Sequence, residues 1–133
     1  MKKFYLFLFI ALAWTISASA QVPAFPGADG YGRYTTGGRG GEVYYVTSLE
    51  DTDTPGTLRY GVTHLSKVTI LFKVSGTIQL NSSLNIRNSN ITIAGQSAPG
   101  DGICLAGYPV SVSGSNVIVR YMRFRMGDWS LSA

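Results

Sequence analysis

From Val68 onward, apolar and polar positions alternate in short runs separated by Gly, Asn and Ser. V-T-I-L-F-K-V-S-G-T-I-Q-L is followed by L-N-I-R-N-S-N-I-T-I-A-G and later by V-S-V-S-G-S-N-V-I-V-R. A two-residue period over such short stretches predicts strands, and no helical period competes with it. The phrase S-N-I-T-I at 89–93 returns as S-N-V-I-V at 115–119, an offset of 26 residues. Short strands recurring at that interval predict a stacked solenoid, because one coil cannot bury its apolar face alone. Hairpin turns flanked by matched strands are largely missing, so the pattern favours an all-β, right-handed parallel β-helix over a sandwich. Asn90 and Asn116 then occupy equivalent corners, where their amides can stack and hydrogen-bond from coil to coil.

The run N-V-I-V-R-Y-M-R-F-R, 116–125, tests this reading. Arg120 shares its parity with Met122 and Phe124, whereas Arg123 and Arg125 share theirs with Val117 and Val119. A single flat strand would therefore bury at least one arginine on whichever face meets the core, and an unpaired buried guanidinium is prohibitive. A one-residue corner at Tyr121 removes the conflict. Val117 and Val119 then point inward like Ile91 and Ile93, and Ile118 and Arg120 point outward. Beyond the corner Met122, Phe124 and Met126 point inward, with Arg123 and Arg125 outward.

Upstream, 21–39 is a Pro/Gly/aromatic segment too rich in permissive positions for a helix or long strand. Phe25, Tyr31 and Tyr34 give it something to bury, so an ordered arm is expected. A first strand is predicted over 42–49, with Val43 and Tyr45 on one face and Tyr44, Val46 and Ser48 on the other. The acidic stretch E-D-T-D-T-P-G, 50–56, invites a metal reading through its D-x-D spacing. It reads first as a solvated loop, since hard-cation sites draw several oxygens from more than one segment. Residues 57–64 are expected to form a short helix or turn. His64, the one histidine, has no Cys or second His near it in sequence, and a surface or capping role is expected.

The chain has 133 residues and a formal charge of +4. Residues 1–20 read as a secretory signal peptide: Lys2 and Lys3, an apolar stretch from Phe4 to Ile16, and the small-residue pattern Ala18-Ser19-Ala20. Residues 21–133 then form the mature part, with nine basic against seven acidic side chains. That near balance argues against a nucleic-acid partner, and no stable membrane insertion is expected once the signal is cleaved. Cys104 is the single cysteine, so stability must come from packing, ladders or bound ions. After the last strand, M-G-D-W-S-L-S-A supplies no closing element. Only an amino-terminal arm and the first coils of a longer β-solenoid are therefore expected.

Outward arginines on a parallel sheet have two readings. One is a solvated face paired with carboxylates of adjacent coils. The other is a groove for a polyanion, whose regularly spaced carboxylates suit forked guanidinium donors. Composition and spacing stop at a secreted β-solenoid.

Six phrases in order carry a resemblance further: A-F-P-G-A-D-G-Y-G, T-G-G-R-G-G-E-V-Y-Y-V-T-S-L, P-G-T-L-R-Y, F-K-V-S-G-T-I, I-T-I-A-G-Q-S-A-P-G-D-G-I and N-V-I-V-R-Y-M-R-F-R. Together, from Ala24 to Asp128, they resemble the amino-terminal part of secreted pectate lyases, in the bacterial branch of that polysaccharide-lyase family. The resemblance implies calcium-dependent β-elimination of polygalacturonate, with an arginine as the base, by a protein that is monomeric when complete. It assigns no catalytic residue within this chain: the family's acidic calcium cluster and catalytic arginine belong to later coils, expected beyond Ala133. Asp128 is the nearest candidate for an outer calcium ligand, with a turn aspartate as its other reading. Arg123 and Arg125 are candidates for lining or supporting the substrate groove. The glycines of T-G-G-R-G-G and A-P-G-D-G are expected to allow tight corners and close coil packing. On this reading the 133-residue piece alone is inactive. A non-catalytic β-solenoid that binds cell-wall polysaccharide, or a related lyase or hydrolase acting on another polysaccharide, are the alternatives.

Overall fold

A computed structural model describes residues 21–127. The expected signal peptide, 1–20, and Asp128 lie outside the described residues. Nine strands are present among the described residues: β1 (Glu42–Val46), β2 (Val68–Phe72), β3 (Gly76–Gln79), β4 (Leu84–Ile86), β5 (Ile91–Ala94), β6 (Ile103–Ala106), β7 (Val110–Val112), β8 (Val117–Arg120) and β9 (Met122–Arg125). One α-helix, α1 (Leu58–His64), interrupts them after β1, and a short 3-10 turn (Gly95–Ser97) follows β5. The strands form three sheets, ordered β1-β2-β5-β8, β3-β6-β9 and β4-β7. Every pairing is parallel. Two full coils, β2-β3-β4 and β5-β6-β7, contribute one strand to each sheet, as a parallel β-helix requires, and β8-β9 adds a strand to the first two sheets.

The period-2 pattern becomes inward columns that run from coil to coil. Tyr44, Ile70, Ile93 and Val119 stack in register, as do Val68, Ile91 and Val117. Ile103 and Leu105 of β6 lie beneath Met122 and Phe124 of β9. Val68, Ile70, Ile78, Ile91 and Ile103 are fully buried, each contributing about 1.5–3 kcal/mol of apolar transfer. The predicted corner is present. Tyr121 separates β8 from β9 with φ 55°, and a Cβ at the matching Gly95 of the coil below would lie 2.3 Å from the Tyr121 carbonyl oxygen.

A second corner column repeats between coils. Lys67, Asn90 and Asn116 each precede a strand of the first sheet, all with φ between 51° and 61°. Asn116 Nδ2 donates to Asn90 Oδ1 at 2.6 Å, and the neighbouring Ser115 and Ser89 hydroxyls lie 3.0 Å apart. The arm locks onto this ladder, since the backbone N–H groups of Thr36 and Gly37 donate to Asn116 Oδ1 at 2.8 and 3.1 Å. Close approach explains two of the arm's glycines. A Cβ at Gly38 would sit 2.0 Å from the Val68 carbonyl oxygen, and one at Gly41 1.6 Å from that of Lys67.

Helix α1 begins at Thr57, whose hydroxyl accepts from the Tyr60 N–H at 3.3 Å. Its buried Leu58 and Val62 close the start of the core against β1 and β4. At the other end no element covers the last coil among the described residues. Leu105, Val110, Val112, Val119, Met122 and Phe124 line an apolar cavity of about 350 Å³ that runs back to Leu58.

Five expectations change. The first strand ends at Val46 rather than extending to 49. Tyr31 is fully exposed and Tyr34 exposed, so Phe25, half-buried, is the arm aromatic that packs. Ile118 does point outward, yet it is buried, because Gly37 of the arm lies over it. Phe124 and Met126 follow the inward side of the last coil but are about half exposed, there being no coil above them among the described residues. The acidic stretch 50–56 is not wholly solvated: the Asp51 side chain is 1% exposed.

Candidate substrate-binding face

Arg123 and Arg125 project from the outer side of β9. Their register neighbours define two outward columns, Thr77–Cys104–Arg123 and Gln79–Ala106–Arg125. Two residues along a strand put the two arginine positions about 6.6 Å apart on one face. Both side chains are exposed, and among the described residues neither has a carboxylate partner. The reading of these arginines as paired with carboxylates of neighbouring coils therefore fails within that span. Cys104 is a free, buried thiol on this sheet, with Sγ 3.8 Å from the Leu105 carbonyl oxygen.

Arg120 does not join that row. It lies on the other side of the Tyr121 corner, on β8, where its guanidinium carbon sits 3.9 Å from the centroid of the Phe25 ring. The three arginines thus divide between two faces, because the corner that keeps them all out of the core also turns the backbone.

The D-x-D stretch holds two different structures. Asp51 accepts from Arg59 Nε at 2.8 Å and Nη2 at 2.7 Å, and from the Asn81 backbone N–H at 2.7 Å. This forked pair fastens the loop to α1 and to the turn before β4. Asp53 is exposed and meets His64 Nε2 at 2.9 Å. The hydrogen bond to His64 is the main reason the Asp53 carboxyl titrates below its ordinary value, with smaller help from Thr63 and Arg59. His64 stacks on Tyr60, ring centroids 4.6 Å apart, in the last turn of α1. It has a surface role at the helix end, as expected, with an aspartate partner that the sequence left unnamed. The Tyr44 hydroxyl accepts from the Gly56 N–H at 2.6 Å and donates to the Thr57 carbonyl at 3.0 Å, and burial pushes its pKa up.

These residues do not fit a calcium ion. No group of three or more His, Cys, Asp or Glu side chains converges among the described residues. The oxygens of Asp51 are committed to Arg59 and Asn81, and those of Asp53 to His64. A hard cation needs six to eight oxygens.

No protein-family model matches the chain. Curated proteins do. The chain is 43% identical over 119 residues to a protein of Emericella nidulans described as probable pectate lyase C, covering 89% of this chain and 28% of that protein. A protein of Aspergillus terreus with the same description is 42% identical over 123 residues, covering 92% of this chain and 28% of the relative. Pectate lyase 1 of Hesperocyparis arizonica is 44% identical over 72 residues, covering 52% of this chain and 19% of its own length.

Stacked parallel coils closed at one end by a helix place this chain in the parallel β-helix class. Within that class it is a homologue of the pectate lyases. It spans a little over a quarter of the length of the curated pectate lyase C proteins it matches.

Proposed function

We propose that this chain is the amino-terminal part of a secreted, calcium-dependent pectate lyase acting on polygalacturonate. The supporting observation is 43% identity along 89% of the chain to a protein described as probable pectate lyase C. On this reading, residues 1–20 direct export and the complete protein acts as a monomer on an acidic polysaccharide. Residues 21–133 supply the arm, the capped end and the first coils of the lyase domain.

The reaction is an elimination. The proton on C5, next to the uronate carboxylate, passes to a base; its electron pair forms the C4–C5 double bond, and the C4 oxygen leaves with the departing chain. The part of the protein corresponding to the relatives' remaining length carries the base and the calcium ligands. Arg123 and Arg125 bind substrate carboxylates, as adjacent exposed guanidinium forks with no carboxylate partner among the described residues can do. Asp128, the candidate outer calcium ligand with a turn aspartate as its other reading, lies outside the described residues.

Product analysis of the complete protein on polygalacturonate tests this reading. Ultraviolet-absorbing unsaturated ends that vanish with a chelator are expected. New reducing ends without the double bond would identify a hydrolase, and saturable binding without cleavage would identify a carbohydrate-binding solenoid.

A further inference from the structure

The outer face of the first sheet carries a second basic site, away from Arg123 and Arg125. A pocket of about 260 Å³ lies between this face and the arm, lined by Ala24, Thr36, Arg39, Thr69, Thr92, Gln96, Ile118 and Arg120. Two of these are arginines and none is acidic. Among the described residues neither Arg39 nor Arg120 has a carboxylate partner. The Arg120 guanidinium carbon lies 3.9 Å from the Phe25 ring centroid and 5.1 Å from that of Tyr121. A cation held over a ring in this way can still donate its N–H groups to an anion. Arg39 spends Nη2 on the carbonyls of Pro23 and Ala24, at 2.9 and 3.4 Å, and holds the arm beside the pocket. Its remaining donors have no partner among the described residues. The Gln96 amide and the Thr69 hydroxyl add neutral hydrogen-bonding groups on the same wall.

Two arginines at one concave site repel each other unless an anion or water lies between them, and contact with Phe25 restricts where Arg120 can swing. Both arginines also touch the arm, Arg39 through the Pro23 and Ala24 carbonyls and Arg120 through Phe25, while Ile118 provides the buried contact with it on this face. We propose that this pocket is a second binding site for the carboxylate of a uronate sugar, with Arg120 and Arg39 as the ionic donors and Gln96 and Thr69 facing sugar hydroxyls. The choice of a uronate over another anion rests on the proposed lyase reading; the anion site itself rests on the pocket. Such a site would hold an acidic polysaccharide against the arm while another part of the protein acts on it.

The test uses the complete protein with a chelator present, so that calcium-dependent binding is silent, and titrates trigalacturonate by calorimetry. Saturable binding is expected, with about tenfold weaker affinity in Arg39→Gln and in Arg120→Lys, each removing part of the charge-assisted bonding. Arg120→Lys keeps a cation over Phe25 while losing the planar fork, so it separates recognition from attachment of the arm. A neutral galactose trimer and inorganic phosphate serve as controls, and both should bind at least tenfold more weakly. Unchanged affinity in both variants, or equal binding of either control, would overturn the proposal. Arginine-dependent trigalacturonate binding by a protein that makes no unsaturated product would uphold this site and sink the lyase reading instead.

Discussion

Replacing Asp51 with alanine should be among the most damaging single changes in the described chain. The Asp51 side chain is 1% exposed and the partnered Arg59 side chain 16% exposed. Truncation removes both oxygens that the guanidinium grips and leaves the Asn81 N–H without its acceptor. Breaking one side of a buried pair costs about 3–5 kcal/mol. Arg59 retains the Ser82 carbonyl at 2.9 Å and some water, which favours the lower half of that range, about 3–4 kcal/mol. With an unfolding slope of about 2 kcal/mol per molar urea, the midpoint falls by about 1.5–2 M. The assay is equilibrium urea unfolding followed by circular dichroism, with Asp51→Ala, Arg59→Met and the Asp51→Leu/Arg59→Met double variant. The double variant should be more stable than Asp51→Ala because it leaves no stranded charge. A midpoint for Asp51→Ala within about 0.25 M of the parent, corresponding to about 0.5 kcal/mol, would show that the pair is effectively solvated and refute this reasoning.

Asn116 combines a left-handed backbone with side-chain bonds to the arm and to Asn90, so two substitutions divide its roles. Asn116→Gly should cost about 1–2 kcal/mol for the lost bonds, and Asn116→Ala about 1 kcal/mol more for backbone strain; equal unfolding midpoints would remove the strain contribution. Asp53 contributes stability that is present above its ordinary carboxylate value of 3.8 and lost as pH falls through its lower folded value. An NMR titration should find its midpoint moving back up in His64→Ala, and an unmoved midpoint would exclude the His64 hydrogen bond as the cause. In the complete protein, Arg123→Gln/Arg125→Gln should raise KM for polygalacturonate severalfold while unfolding changes by less than about 0.5 kcal/mol. A stability loss with unchanged KM would instead make these arginines structural.

Features governed by the repeat were legible in the sequence. The 26-residue offset aligned Asn90 with Asn116, and the parity conflict at Arg120 required a corner that Tyr121 supplies. Lys67 occupies the same corner column one coil earlier, but lysine carries no signature of a left-handed backbone, so the first member of the column was hidden. The Asp51 pair was hidden for another reason. Its partners stand 8 and 30 residues away, and only folding brings α1 and the turn before β4 to the loop. Counting aromatics likewise could not reveal that Phe25 packs while Tyr31 stays in solvent, because the arm is seated largely by backbone N–H groups and small glycines. Parity about the corner keeps the three arginines out of the core, but their division between two faces follows from the turn at Tyr121.

The most direct measurement compares the 133-residue chain with the complete protein on polygalacturonate and calcium, following ultraviolet absorbance of the unsaturated product. The account predicts product from the complete protein, abolished by a chelator, and none from the 133-residue chain, whose described residues do not assemble a calcium site. Calcium-dependent cleavage by the 133-residue chain alone would contradict it, as would a complete protein that generates only saturated ends.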